Sequence, residues 1–297
     1  MNWPLIALGI GAFGIGTTEF APMGLLPDIA EGVDVSIPTA GSVVTAYALG
    51  VMISAPVMTL MLRRFSHKLA LMLLMGIFIV GNLFTALAPD YSNLMAARIF
   101  TSLAQGAFFG IGAVMATLVV SKEKQASAVA TMFMGLSIAN IVGVPSATWL
   151  SQSVGWRESF GVIALLGVVA LVGLALALPK GSAGQRTDAR QELRALFNIE
   201  LMVTMGMTVS FAAAFFTLYT FIAPYLELHQ ETSENFVTVA LVHVGVGLTL
   251  GNWFGGKLAD WSLDGAVLIG LSALASLMFL IPWFIETVVG AAISLTL

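Results

Sequence analysis

One carboxylate lies inside the first apolar stretch of the chain. In "GIGTTEFAPMGLLPDIA", residues 14–30, Glu19 follows Thr17 and Thr18 within an otherwise apolar run. Ionisable side chains at membrane depth are costly and tend to mark a transport pathway or a proton relay. We therefore interpret Glu19 as a group that could bind and release a proton. The structural alternative is a carboxylate near the outer headgroups that caps a helix broken before Pro22.

Four other polar side chains lie within apolar stretches: Arg98, Gln105, Asn140 and His243. At 1.5 Å per residue, Glu19 is roughly 20 Å into its segment, and Arg98 is about 9 Å into a segment that runs the opposite way. Their depths are therefore similar, and a direct or water-bridged pair is geometrically feasible. Arg98 could instead be a structural clamp. Gln105 and Asn140 could line a substrate cavity or bond neighbouring helices, and His243 fits a satisfied interior group.

The elements that position these residues are predicted to be membrane helices. Of 297 residues, 58% are hydrophobic and 9% are charged, whereas soluble domains carry about 25% charged residues. Lipid permits only helices or closed barrels, and continuous apolar runs near 20 residues favour helices over alternating strands. The predicted fold class is therefore an all-α polytopic membrane protein.

Nine complete spans and the start of a tenth are predicted. Their approximate bounds are 4–26, 39–61, 69–88, 93–119, 127–152, 158–178, 200–226, 236–256 and 266–284, with a start at about 287. We expect a six-helix N-terminal bundle at residues 1–178 and a cytoplasmic linker at 179–199. Residues 200–297 are expected to form a partial C-terminal bundle, truncated within its tenth span.

The positions of the basic residues support this topology. Ten of the 12 fall on one predicted side of the membrane. These ten are Arg63, Arg64, Lys68, Lys122, Lys124, Lys180, Arg186, Arg190, Arg194 and Lys257. Because loops rich in lysine and arginine stay in the cytoplasm, the N-terminus is predicted to be cytoplasmic and span 1 to run outward.

Several classes of function are not supported by any motif. The chain has no cysteine, which excludes disulfides and thiol chemistry. It also has no H-E-x-x-H, no P-loop and no G-x-S-x-G motif. Gly9, Gly11 and Gly14 match a dinucleotide-binding pattern, but no strand precedes them. We therefore predict that the protein is not an enzyme, needs no cofactor or metal, and binds no nucleic acid.

Several stretches together resemble a known family. They are "TEFAPMGLLPDIA", "AYALG", "ARIFTSLAQGAFFGIGA" and "ANIVGVPSATWLSQSVGWRESF". The chain resembles the major facilitator superfamily, drug:proton antiporter type, and especially AraJ-like sugar-efflux permeases. The resemblance implies a twelve-span fold and assigns a conformational role in span 5 to Gly135, Gly143 and Pro145. The family's span-4 arginine corresponds to Arg98. Gly106 and Gly110 in span 4 have the spacing of helix-packing glycines.

The family's loop motif between spans 2 and 3, G-x-x-x-D-R-x-G-R-R/K, matches only in part. Arg64 and Lys68 match, whereas Thr59, Arg63 and Ser66 replace its glycine, aspartate and second glycine. The corresponding loop between spans 8 and 9 fits better, because "GKLAD" supplies Gly256 and Asp260. Parallel repeats predict such an echo between the two halves.

The resemblance implies a secondary active transporter in the bacterial inner membrane that exports a small organic solute, a sugar or a drug-like compound, in exchange for protons. Glu19 and Arg98 would couple to protons, and Tyr47, Gln105 and Asn140 would line the substrate cavity. A monomer in the lipid bilayer is expected. A proton-independent facilitator, a non-transporting membrane receptor and an integral membrane enzyme are the alternatives.

Overall fold

The computed structural model describes residues 2–179, 198–229, 235–284 and 288–296, and these are helical with short connections. The first nine helices are α1 (Trp3–Gly24), α2 (Leu26–Gly32), α3 (Ile37–Leu62), α4 (His67–Ala86), α5 (Tyr91–Ser102), α6 (Gln105–Leu118), α7 (Gln125–Ile138), α8 (Val144–Val154) and α9 (Trp156–Ala177). The others are α10 (Ile199–Thr220), α11 (Ile222–His229), α12 (Asn235–Trp261), α13 (Leu263–Phe284) and α14 (Val288–Thr296). The prediction of an all-helical fold is confirmed.

The described residues contain eight helical stretches long and apolar enough to cross a membrane. In addition to these eight stretches, α12 carries a shorter apolar stretch, Phe236–Gly251. The bounds of these nine helical stretches agree with those of the nine predicted spans, and most ends differ by only a few residues. The start of the predicted tenth span corresponds to α14. Most of the predicted linker, including Lys180, Arg186, Arg190 and Arg194, lies outside the described residues.

Local signals explain where several helices begin. The hydroxyl of Ser36 accepts from Thr39 N at 3.3 Å and caps α3, while Asp90 accepts from Asn93 N at 2.9 Å and caps α5. These side chains satisfy backbone donors that have no partner inside the helix. Gly155 joins α8 to α9 with φ 122°, a left-handed conformation that favours glycine.

Three predicted spans are interrupted rather than continuous. Span 4 breaks between α5 and α6 at residues 103–104, and span 7 breaks at Phe221 between α10 and α11. Span 5 contains a π-helical turn at Ala139–Gly143 between α7 and α8. Pro145 lies two residues after the end of this turn, and its nitrogen cannot donate a backbone hydrogen bond, which explains the widened turn upstream.

Helix α1 lies at the centre of the packed helices and contacts α7, α9, α8 and α3. A first hydrophobic core draws on residues 5–178, with Phe78, Phe108 and Phe160 fully buried. A second core joins Phe20 and Met23 of α1 to side chains of α10, α11 and α12.

The second core lies at the end of the molecule that is predicted to face outward. Here Thr238 of α12 donates to Gln152 of α8 at 3.2 Å. At the opposite end, residues 201–211 of α10 are exposed. The two halves of the described chain therefore meet through the second core.

Candidate functional site

Glu19 lies on the wall of a cavity between α1, α3 and α10. The cavity has a volume of about 750 Å³. Its lining is mostly apolar and aromatic and includes Met23, Met52, Phe216 and Phe221. Glu19 is the one carboxylate among the described lining residues. A carboxylate predicted from the first apolar stretch is thus accessible from a cavity large enough for a small organic molecule.

Arg98 is fully buried beside this cavity. Its Nη2 donates to the carbonyl oxygen of Thr18 at 3.0 Å, and its Nη1 donates to Thr18 Oγ1 at 3.2 Å. The guanidinium carbon lies 4.2 Å from the centre of the Tyr47 ring and 5.6 Å from that of Phe160. Both rings present a π-face to the cation, and such contacts are strongest when water is excluded.

Arg98 and Glu19 attract each other, but they do not form a direct ion pair. Among the described residues, no carboxylate oxygen lies within 4.0 Å of the Arg98 guanidinium. The charge of Glu19 nevertheless acts on Arg98, and the side chain of Gln105 also acts on the Glu19 carboxylate, although no hydrogen bond of 3.5 Å or less joins them. The structure thus brings Glu19, Arg98, Gln105 and Tyr47 into one polar cluster.

Three buried polar atoms of this cluster have no hydrogen-bond partner among the described residues. They are Tyr47 Oη, Arg98 Nε and Gln105 Oε1. Tyr47 lines the cavity directly, whereas Gln105 is buried behind it. Because unpaired buried polar atoms are costly, their concentration beside Glu19 is typical of a site that binds polar groups.

Thr18 connects the cluster to α4, which the sequence did not indicate. Thr18 Oγ1 donates to Asn82 Oδ1 at 2.5 Å, and Asn82 Nδ2 donates to the carbonyl oxygen of Phe78 at 2.8 Å. Both Thr18 and Asn82 are fully buried. An asparagine within the apolar run "GIFIVGNLFTALA" was the available signal.

Asn140 lies at the contact between the two halves and not among the described lining residues of the cavity. Its Oδ1 accepts from Tyr219 Oη of α10 at 3.4 Å, and its Nδ2 donates to the carbonyl oxygen of Leu136 at 3.1 Å. A Cβ added to Gly245 of α12 would lie 2.5 Å from the Asn140 carbonyl oxygen. Of the two roles considered for Asn140, this geometry fits interhelical bonding.

The glycines of span 5 pack that span against α1. A Cβ at Gly135 would lie 2.9 Å from the backbone nitrogen of Phe13, and a Cβ at Gly143 would collide with the hydroxyl of Thr17. These contacts allow the two backbones to approach closely. Pro145 is buried near the start of α8, two residues after the π-helical turn. In span 4, a Cβ added at Gly106 would lie 3.0 Å from the Cα of Ala55. A Cβ added at Gly110 would have nothing within 4 Å.

A family model for the major facilitator superfamily matches residues 8–297. The chain belongs to the major facilitator superfamily. It is therefore a membrane transporter and not an enzyme, as predicted.

Two relatives and one solved structure agree with this family. The inner membrane transport protein YdhP of Escherichia coli is 54% identical over 295 residues, which are 99% of this chain and 76% of YdhP. The putative transporter AraJ of Escherichia coli is 31% identical over 259 residues, 87% of this chain and 66% of AraJ. The resemblance to AraJ-like permeases is thus confirmed, and the chain is a multi-pass protein of the bacterial inner membrane.

The solved structure is a bacterial homologue of the human lysosomal transporter Spinster in an inward-facing, unoccupied conformation. It matches with a TM-score of 0.74 at 16% identity, over 99% of this chain and 72% of that chain. At this identity the match shows the superfamily fold alone.

The superfamily loop motif between spans 2 and 3 has a structural contact in this chain. Lys68 Nζ donates to the carbonyl oxygens of Ala175 at 2.5 Å and Leu178 at 2.8 Å, at the end of α9. Arg64 is exposed, and its guanidinium carbon lies 5.2 Å from the centre of the Phe65 ring. Lys68 thus satisfies carbonyls at a helix end, where cations are favoured.

The matching loop of the second half is described only by its backbone. Gly256 and Asp260 lie near the end of α12, and the side chain of Asp260 lies outside the described part of the chain. His243, on the same helix, has Nδ1 2.9 Å from the carbonyl oxygen of Val239, which agrees with its interpretation as a satisfied group.

Proposed function

We propose that this superfamily member exports a small organic solute, a sugar or a drug-like compound, in exchange for protons. The observation that carries the proposal is the position of Glu19. It is the one carboxylate among the described residues that line the cavity between α1, α3 and α10, and it lies beside a buried arginine with which it forms no direct ion pair. A carboxylate in this setting is suited to binding a proton in one half of a transport cycle and a solute in the other half.

Each half of the cycle uses the same carboxylate. When the cavity opens outward, Glu19 takes up a proton on a carboxylate oxygen, and the solute leaves. When the cavity opens inward, Glu19 releases the proton to the cytoplasm, and its negative charge becomes available for a new solute. Arg98 stays charged throughout, so protonation of Glu19 changes the net charge of the cluster.

The cavity wall supports a solute with both apolar and hydroxyl-bearing parts. Phe216 and Phe221 supply flat apolar surfaces, while Thr217 and Thr220 supply hydroxyl groups. Ligand sites generally combine an apolar lining with a few polar groups that fix orientation. We assign a direct contact with the substrate to Tyr47. We assign to Gln105 an indirect contact with the substrate through Glu19, and to Asn140 a role in the contact between the two halves.

The conformational residues complete the proposal. Gly135, Gly143 and Pro145 allow span 5 to shift along α1, and Arg64, Lys68, Gly256 and Asp260 control the cytoplasmic side. We also propose that the protein acts as a monomer. Its organisation would be the six-helix bundle at residues 1–178, the linker at 179–199 and the C-terminal bundle at 200–297.

The test is transport by the purified protein in liposomes that contain a pH-sensitive dye. A panel of sugars and antibiotics, including arabinose and chloramphenicol, is added outside with a pH gradient imposed. We expect at least one compound to move with a matching proton flux that an uncoupler abolishes. Solute flux that is unchanged by the uncoupler would show a facilitator, and binding without flux would show a receptor.

A further inference from the structure

Thr18 is an exception among the buried threonines of the membrane helices. Thr17 donates to the carbonyl oxygen of Phe13 at 2.8 Å, and Thr101 donates to that of Ala97 at 2.7 Å, four residues earlier in each case. This local bond is the usual solution for a hydroxyl within a helix. Thr18 instead donates across to Asn82 of α4, so its hydroxyl is oriented by another span.

The direction of donation along this chain of bonds is fixed. Asn82 Nδ2 donates to the carbonyl oxygen of Phe78, which leaves Oδ1 to face Thr18. The reverse orientation of the amide would place two acceptor oxygens against each other. The Thr18 hydroxyl therefore donates its hydrogen bond to Asn82 Oδ1. A lone pair of Thr18 Oγ1 accepts a hydrogen bond from Arg98 Nη1 at 3.2 Å.

The charged and titratable groups around Glu19 are few. In the described part of the chain, Arg98 of α5, Tyr47 of α3 and Tyr219 of α10 interact with it electrostatically. Gln105 of α6 adds an uncharged hydrogen-bonding group. The other described helices that pack against α1, which are α2, α4, α7, α8, α9, α11 and α12, add no charge that acts on Glu19. Arg98 is the one cation among these groups, so the position of its guanidinium affects how easily Glu19 holds a proton, in addition to the larger effect of burying the carboxylate.

We propose that Thr18 and Asn82 are positioning residues that hold the Arg98 guanidinium away from Glu19, so that Glu19 can be protonated within the working cycle. This inference rests on the proposed function. Thr18 binds the guanidinium through both its hydroxyl and its carbonyl oxygen, and the Tyr47 ring covers one face at 4.2 Å. A direct ion pair would favour ionised Glu19 and oppose proton uptake.

A purely structural role for the same bonds predicts a different outcome. If Thr18 and Asn82 only join α1 to α4, their removal lowers stability without changing the pH at which Glu19 binds a proton. The distinguishing readout is therefore the titration of Glu19 itself, which needs no transported solute.

The experiment is infrared difference spectroscopy of the purified protein titrated with acid. The carbonyl stretch that a protonated Glu19 contributes is identified by its loss in Glu19→Gln. Thr18→Val keeps the branched shape of the side chain but removes the hydroxyl, and Asn82→Leu removes the acceptor beyond it. Thr18→Ser keeps the hydroxyl, and Thr101→Val removes a buried hydroxyl that does not touch Arg98.

We expect Thr18→Val and Asn82→Leu to move the midpoint of the Glu19 band by about one pH unit toward acid, because Arg98 then approaches the carboxylate. Thr18→Ser and Thr101→Val should titrate like the unmodified protein. If Asn82→Leu does not fold, Thr18→Val alone carries the test.

Two failures are distinguishable. If the band is lost in Glu19→Gln but Thr18→Val leaves its midpoint unchanged or moves it toward alkali, the positioning role is wrong and the proposed function stands. The same conclusion follows if Thr18→Ser shifts the midpoint as far as Thr18→Val does. If Glu19→Gln removes no titrating band, Glu19 does not exchange protons, and both proposals are overturned.

Discussion

The guanidinium carbon of Arg98 lies 4.2 Å from the centre of the Tyr47 ring, and the hydrogen bonds of Arg98 go to Thr18 and not to a carboxylate. A fully buried cation is thus stabilised by an aromatic face and a backbone carbonyl. This arrangement leaves Glu19 close enough to be influenced by the charge but free of a direct ion pair.

The Tyr47 ring and its hydroxyl have separable roles. Tyr47→Leu should destabilise the protein by about 2 kcal/mol, because a desolvated cation–π contact is lost. Tyr47→Phe keeps the ring and should unfold near the temperature of the unmodified protein, while solute binding weakens because Tyr47 lines the cavity and its buried Oη has no hydrogen-bond partner among the described residues. Thermal unfolding in detergent and the KM for transport check the two effects. Equal unfolding temperatures for both variants would contradict the assignment.

Gly245 is predicted to be needed for the closed outer end. In Gly245→Ala, the new methyl group would meet the Asn140 carbonyl oxygen at 2.5 Å and force α12 away from span 5. The chain has no native cysteine, so the closure can be followed with one introduced pair, Gln152→Cys with Thr238→Cys. These side chains bond across the two halves at 3.2 Å.

We expect the cysteine pair to cross-link readily in the unmodified background and several-fold more slowly with Gly245→Ala. Gly251→Ala is the matched control, because a Cβ at that position on the same helix meets nothing within 4 Å. Equal cross-linking rates for the two alanine variants would show that the close contact does not hold the outer end shut.

Lys68 is predicted to stabilise the end of α9. Lys68→Met removes two hydrogen bonds to the carbonyl oxygens of Ala175 and Leu178 and should cost about 2 kcal/mol, because each such bond contributes about 1 kcal/mol net. Arg64→Met, on an exposed side chain, should unfold like the unmodified protein. If Lys68→Met transports slowly but unfolds normally, Lys68 acts in gating alone.

Asp90 should make the start of α5 sensitive to acid. Hydrogen bonds from the backbone and side chain of Asn93 lower the pKa of Asp90 below its usual value. A carboxyl group with a lowered pKa stabilises the folded state above its unfolded pKa, and this contribution disappears as the pH falls through the folded pKa. Asp90→Ala should therefore lower the unfolding temperature at pH 7, and the difference should disappear as the pH falls through the lowered pKa of Asp90 in the folded protein. A difference that persists in acid would exclude the carboxylate as its source.

The positions of the helices could be predicted from the sequence, whereas not all of the interruptions within the spans could. Long apolar runs bounded by charged loops fix a span to within a few residues, because lipid leaves no alternative to a helix. Pro145 gave a signal for the widened turn before it. The break at residues 103–104 has neither glycine nor proline, so these two residues gave no signal for it.

The membrane depth of the candidate site residues could be predicted from the sequence, whereas the face of the helix on which each residue lies could not. Residue counts placed Glu19 and Arg98 at similar depths, and the structure brings them into one cluster. Which side of its helix each residue faces depends on tertiary packing, so the bonds of Arg98 to Thr18 were not foreseen. For the same reason Asn140, considered as a cavity residue, bonds Tyr219 at the joint between the halves.

The central claim is that Glu19 carries the transported proton. The most direct measurement compares Glu19→Gln with the unmodified protein in liposomes, using a solute identified by the panel. Glu31→Gln, which changes an exposed acid on α2, is the control. We predict that Glu19→Gln still exchanges solute for solute but no longer accumulates it against a gradient when a pH difference is imposed. Full pH-driven accumulation by Glu19→Gln would contradict the account.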